Sequence, residues 1–282
     1  MKTSLLHLPE NKQQELQRIT KLIVETVDPE KIILFGSHAT GSWVEDRYTE
    51  GHITYEYISD YDLLVITKPG EKKADYEITD QVENRLRFRT PVNVITHDID
   101  YVNKQLGEGQ YFFSDIRKEG ILLYDAGTIL LAERREMKSE EIKQRAQKDF
   151  AKWFDSAIEF VAGTEFYARR AQYNIAAFEL HQAAERTYNC LLLVFTGYKP
   201  KTHNIDKLCR MSKGFSKEAA KIFPRNSPQE EHLFNLLLKG YIDARYKDDY
   251  VITEEELKEL INRVRELQKI VEEACKKKID SF

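Results

Sequence analysis

The sequence predicts an α+β protein: a mixed β-sheet with helices in the first half, then an all-α up-and-down helical bundle. Three observations carry this. Short apolar runs at 32–35, 63–66, 92–95 and 121–124 are bounded by turn residues and read as buried strands. From Thr128 onward strand signals almost vanish and apolar residues recur at helical spacing. A chain of 282 residues also fits two domains better than one. The expected division is an N-terminal domain over 1–127, a charged helical connector over 128–138 and a bundle over 139–282.

Taken in order, residues 9–27 form a first helix with Leu16, Ile19, Ile23 and Val27 on one stripe, ended by Asp28-Pro29. The strand at 32–35 stops at Gly36-Ser37. Residues 53–58 alternate like a strand, so residues 44–58 read as an inserted hairpin or as a longer first strand of the Asp-bearing hairpin. The strand at 63–66 ends at the turn Lys68-Pro69-Gly70. Residues 72–89 are expected as an amphipathic helix, stopped by Thr90-Pro91 before the strand at 92–95. Asp98 caps a helix to about Leu106. Residues 107–113 read as a loop and 114–118 as a short turn of helix before the last strand. In the second half, helices are expected over 139–162, 166–195, 208–211, 217–222, 229–246 and 254–277. Gly163-Thr164 is the predicted break between the first two, Gly197 ends the second, and Thr253 caps the last.

The chemistry concentrates between Gly36 and Asp62. Strand side chains alternate faces, so Asp60 and Asp62 are expected to point the same way. Two carboxylates at a sheet end make a hard oxygen site suited to Mg²⁺ shared with nucleotide phosphates. Gly36 would supply a tight turn, and Ser37 a hydroxyl beside the metal. The plainer readings are a solvated strand start and an ordinary turn. His38 reads as a surface residue near a helix start, with a phosphate contact as its functional reading.

An apolar strand, Gly36-Ser37, Gly41, then Ser59-Asp60-Tyr61-Asp62-Leu63 with Val65 resembles the nucleotidyltransferases of the polymerase-β superfamily, over residues 1–125. The resemblance implies transfer of a nucleoside monophosphate from an NTP, most simply ATP, to a hydroxyl, with Asp60 and Asp62 holding Mg²⁺. It places the acceptor, a small molecule or a protein, in a groove between domains. The segment between Gly-Ser and Asp-x-Asp is longer than the family shows. Asn93 stands where the family has a third carboxylate, and an amide is a poor general base. His97, Asp98 and Glu56 are the possible substitutes. Asn93 therefore also admits a non-catalytic module that binds NTP and signals by dimerisation.

Phe178-Glu-Leu-His181-Gln-Ala-Ala-Glu185-Arg-Thr-Tyr188, then Gly197, His203-Asn-Ile205 and Ala244-Arg245-Tyr246 resemble the HEPN domain, over residues 140–278. Many such domains are ribonucleases with Arg followed four to six residues later by His. After Arg245 no His occurs through Ile252, which places this half nearer the non-nuclease branch, for which nucleotide binding and dimerisation are implied. Arg245 and Tyr246 are the nucleotide-binding candidates; Tyr246 and Tyr250 read either as base-stacking residues or as core packing. Arg169-Arg170 and Arg245-Lys247 read either as a phosphate cleft or as a solvated face. His181, on an Ala-rich helix, reads as packed.

The net charge of −4 gives no general attraction to nucleic acid and does not favour RNA as a partner. Cys190, Cys209 and Cys275 form no CxxC pair and are expected as free thiols. No run reaches membrane-spanning length and Met1 opens no signal-like core, so the expected location is the cytoplasm, with a homodimer as one possible assembly.

Overall fold

A computed structural model of the chain describes residues 1–50, 53–71, 85, 88 and 90–282, with backbone alone over 46–50 and 53–57. The described residues form two compact units, Met1–Met137 and Lys138–Phe282. The fold is α+β, a mixed sheet with helices followed by a helical region. The helix expected over 72–89 lies outside the described residues except at positions 85 and 88.

The first unit opens with α1 (Glu10–Val27), which buries Leu16, Ile19, Ile23 and Val27 as their spacing predicts. Asp28 closes it at φ 44°, and Pro29 cannot extend it. Strand β1 (Lys31–Phe35) leads through Gly36 into the single-turn α2 (Ser37–Thr40). The inserted segment is a separate two-stranded sheet, β2 (Glu45–Glu50) antiparallel to β3 (Ile53–Ile58). Two bonds close its base: Ser59 N–H to Val44 O and Val44 N–H to Ser59 Oγ, both 2.9 Å. Strand β4 (Tyr61–Thr67) then pairs antiparallel with β1 and parallel with β5 (Val92–Asp98). Strand β6 (Ile121–Asp125) pairs antiparallel with β1, giving the order β5-β4-β1-β6. The inner strands β1 and β4 carry the longest apolar runs because both faces are covered. Leu63 and Val65 are fully buried, and each such side chain stabilises the sheet by about 1.5–3 kcal/mol.

Two elements differ from expectation. After α3 (Ile99–Gly107), capped by Asp98 through Tyr101 N–H (2.7 Å), the aromatics at 111–113 are helical, not in a loop. Helix α4 (Tyr111–Glu119) is capped by Gln110, whose Oε1 accepts from Phe113 N–H at 3.1 Å. Gln is an uncommon cap, so this helix start carries little local signal. The connector expected to be helical holds no helix over 126–138. Its amides bond elsewhere: Thr128 and Ile129 N–H donate to the buried Glu30 carboxylate at 3.1 and 2.7 Å, Ala132 N–H to Asn103 Oδ1, and Arg135 N–H to Leu106 O. These acceptors replace the i−4 carbonyls a helix would use.

The second unit is helical. Helix α5 (Ser139–Ala168) runs unbroken through Gly163-Thr164, where a break was expected. A Cβ at Gly163 would stand 3.3 Å from Glu179 Oε2, so this glycine serves close packing. The break falls at 169–172, where Ala171 takes φ 55°, and α6 (Tyr173–Thr196) follows, ended by Gly197 at φ 67°. Helices α7 (Ile205–Ser212) and α8 (Lys217–Lys221) are capped by Asn204 and Ser216. The helix expected over 229–246 divides into α9 (Pro228–Lys239) and the short α10 (Asp243–Tyr246). A Cβ at Gly240 would lie 2.8 Å from Ala177 O, so the backbone approaches α6 closely there. Helix α11 (Glu254–Asp280) opens with a Thr253–Glu256 capping box. No described helix is long and apolar enough to cross a membrane. All three cysteines are buried and free.

Candidate functional site

At the corner where β1, α2, β4 and β5 meet, the sheet register sets Phe35 opposite Asp62 and Asp62 opposite Asn93. Gly36 follows Phe35 at φ 71°, ψ −153°. A Cβ at Gly36 would lie 2.4 Å from Asp62 Oδ2, so the carboxylate rests against the bare glycine backbone. On its other side, Asn93 Nδ2–H donates to Asp62 Oδ1 at 2.9 Å. Asn93 is buried, and its Oδ1 has no partner among the described residues. Gly36, Asp62 and Asn93 are thus in direct contact, with half-buried Ser37 next in the chain. Half-buried Asp60 stands just before β4.

His38 is placed differently from expectation: it is fully buried, not at the surface. Its ring stacks on Trp43 (centroids 5.6 Å apart, 7° between planes) and leans on Tyr61 (4.5 Å). Its Nδ1 meets Asp60 O at 3.0 Å. Burial pushes its pKa down to about 4, against the smaller raising effect of the Asp60 carbonyl. A neutral ring has one N–H, which this carbonyl assigns to Nδ1. His38 therefore props the backbone of Asp60 from beneath the site. Buried Lys12 packs nearby, 4.8 Å from the Trp43 ring centroid and 3.1 Å from Glu45 Oε2. The apolar surround hides this polar cluster from any reading of Lys12 as an amphipathic-helix residue.

Of the substitutes considered for the third carboxylate, His97 is buried and stacked on Tyr101 at 4.4 Å. Asp98 is engaged as the α3 cap. The side chain of Glu56 lies outside the described residues. Among the described residues no three His, Cys, Asp or Glu side chains form a metal cluster. The oxygen donors in contact here are the Asp62 carboxylate and the Asn93 amide, whose carbonyl oxygen lacks a partner among the described residues, with Asp60 two residues before Asp62 in the chain. Oxygen donors of this kind could hold a hard divalent cation.

In the second unit, Arg245 is exposed and fixed by aromatic rings. Its guanidinium lies 4.6, 4.8 and 4.9 Å from the rings of Phe178, Tyr241 and Tyr246, and its Nε–H donates to Tyr241 O at 2.6 Å. Tyr246 is 73% exposed, whereas Tyr250 is buried with its hydroxyl on Leu236 O, so Tyr250 is a core residue and not a stacking platform. The sequence reading missed the companions of Arg245. His203 stacks on Tyr241 (4.5 Å, 17°), and its Nδ1 meets the buried Glu185 carboxylate at 3.0 Å. His181 is packed as expected, between Leu237 O (2.9 Å) and His203 O (3.1 Å), with burial lowering its pKa. The i, i+4 spacing of His181 and Glu185 was the available signal.

Residues 150–274 match the family model of the HEPN domain. The second unit carries a HEPN domain. Its matched span takes in α6 to α10 whole and most of α5 and α11. Within it, the Arg–His spacing of the nuclease motif is absent after Arg245, yet the HEPN domain brings an imidazole, His203, onto the same Tyr241 ring from the loop before α7. No curated protein matches the chain.

Proposed function

We propose that the first unit binds a nucleoside triphosphate, ATP in the first instance, with Mg²⁺, and transfers its nucleoside monophosphate to a hydroxyl of a small molecule or protein. The observation that carries this reading is the contact of Asp62 with Gly36 and Asn93 at one sheet corner. Asp60 and Asp62 would hold the cation, with Asn93 Oδ1 as a neutral oxygen donor. When bound, Mg²⁺ supplies charge neutralisation of the phosphates and of the transferring phosphorus. The Ser37 hydroxyl and the backbone after Gly36 would orient the β- and γ-phosphates. His38 keeps the Asp60 backbone in place from below. Asn93 brings no charge and does not serve as a base, so proton removal from the acceptor is slow.

That same amide favours a second reading, NTP binding without turnover, with the HEPN domain carrying the signal through dimerisation. The two readings separate on nucleotide turnover. Pyrophosphate release from ATP and Mg²⁺, across a panel of hydroxyl compounds and tyrosine-bearing peptides, supports transfer. In that reading Asn93→Asp raises the rate at least tenfold. Release unchanged by Asn93→Asp and by Asp62→Ala would remove the transferase reading.

A further inference from the structure

One face of α6 in the HEPN domain carries three polar residues whose buried atoms lack partners. Gln182, Arg186 and Asn189 follow at spacings of four and three, so they line one side of the helix. Gln182 Nε2 and Arg186 Nε are buried without an acceptor, and both amide atoms of the fully buried Asn189 lack a partner. Arg186 is half-buried and held rigidly. Its guanidinium sits 5.1 Å from the Trp153 ring and 5.1 Å from the Phe160 ring, and its Nη1–H donates to Ser156 Oγ at 3.0 Å. A second cation, Lys199 Nζ, lies 5.6 Å from the same Trp153 ring. Among the described residues Arg186 makes no ion pair, whereas Arg210, Arg225, Arg263 and Arg265 of this unit do.

A half-desolvated guanidinium with no counter-ion is costly, and each unpaired buried donor adds to the cost. Such groups persist where a ligand supplies the missing acceptors. The donors here are an arginine fork, a primary amide one turn away and an ammonium; the Ser156 hydroxyl accepts from the fork and donates to Trp153 O at 2.9 Å, so it only positions the arginine. Each offers N–H groups or positive charge, which suits an oxyanion with several acceptor oxygens. Two cations favour a dianion over a monoanion. We propose that Arg186, Gln182 and Lys199 form a binding site for a phosphate group, with Ser156, Trp153 and Phe160 fixing the guanidinium that receives it. This site is separate from the Arg245 cluster and does not depend on the nucleotide reading of the first unit.

Trp153 is one of two tryptophans, so Trp43→Phe leaves it as the sole indole reporter. Inorganic phosphate, then AMP, is titrated into the full chain at constant ionic strength set with chloride, followed by Trp153 emission and by ³¹P line width. The site predicts a saturable change with both probes. It predicts at least a tenfold weaker response in Arg186→Gln and a severalfold weaker one in Lys199→Gln. Lys199 is exposed, so that variant keeps the test valid if Arg186→Gln fails to fold. An AMP response much tighter than that of phosphate would assign the group to a nucleotide. A response that acetate reproduces at equal concentration, that survives in Lys199→Gln at full strength, or that never saturates would overturn the site.

Discussion

Replacing Gly36 by Ala tests the geometry of the sheet corner directly. At φ 71°, ψ −153° the residue occupies a region open in practice only to glycine, and a side chain there costs roughly 1–3 kcal/mol. The new Cβ would also stand 2.4 Å from Asp62 Oδ2 and 3.3 Å from Asp62 Cγ. The carboxylate must swing away, which breaks its bond from Asn93 Nδ2. A bond to a charged group contributes about 1.5–3 kcal/mol when buried, and less here because Asp62 is half-exposed. The combined loss is about 2–4 kcal/mol. Gly41→Ala is the matched control. It shares a positive φ of 83°, but its Cβ would meet only His7 Cδ2 at an ordinary 3.8 Å. Its cost should be the backbone part alone, about 1–2 kcal/mol. Urea unfolding with linear extrapolation reads both, and Mg²⁺-dependent ATP binding should vanish in Gly36→Ala only. Equal destabilisation of the two variants, with binding intact in both, would refute the packing of Asp62 on Gly36.

Other outcomes follow from the same contacts. Asn93→Asp sets a second carboxylate beside Asp62, so without Mg²⁺ the variant should be less stable than the parent. Its thermal midpoint should rise with added Mg²⁺ far more than the parent's, read by differential scanning fluorimetry. Burial alone would raise the Glu30 pKa, but the Thr128 hydroxyl, the amides of Ile129 and Thr128 and the Lys31 charge outweigh it, and the net direction is downward. Its contribution is therefore full above the ordinary value of 4.5 and is lost as pH falls through the lower folded value. Glu30→Gln should cost about 1–3 kcal/mol at pH 7 and flatten that acid limb. His38 has the opposite proton balance. The folded ring resists protonation down to about 4 while the unfolded one takes it near 6.5, so stability should fall as pH drops through that window. His38→Phe should remove this slope, and a slope unchanged in the variant would move its origin elsewhere. The HEPN domain should cleave no RNA in EDTA; cleavage abolished by both Arg245→Ala and His203→Ala would reverse that reading.

The strands were legible because β1 and β4 are covered on both faces and so read as unbroken apolar runs, ended by Gly36 and by Lys68-Pro69-Gly70. The inserted hairpin was legible from the alternation at 53–58, and α1 and α11 from their stripes and caps. Helix breaks were less readable. Gly163 reads as a breaker, but its lack of a side chain accommodates Glu179, while the actual break uses Ala171 in a conformation its residue type does not advertise. The connector at 128–138 has helical composition, and only the distant Glu30 and Asn103 explain why it is not helical. At the candidate site, the Gly36–Asp62–Asn93 contact was implied by strand ends. The burial of His38 was not, because stacking on Trp43 joins residues whose order along the chain says nothing about their rings. The Glu185–His203–Tyr241 grouping likewise draws on α6, the loop before α7 and the turn after α9.

The central claim, that Asp60 and Asp62 with Gly36 form a Mg²⁺-dependent nucleotide site, is tested most directly by isothermal titration. Purified chain is titrated with ATP and with GTP, with and without Mg²⁺, beside an Asp60→Ala/Asp62→Ala variant. The account predicts saturable binding that requires Mg²⁺ and is lost in the variant. Binding that survives in the variant, or that ignores Mg²⁺, would contradict it.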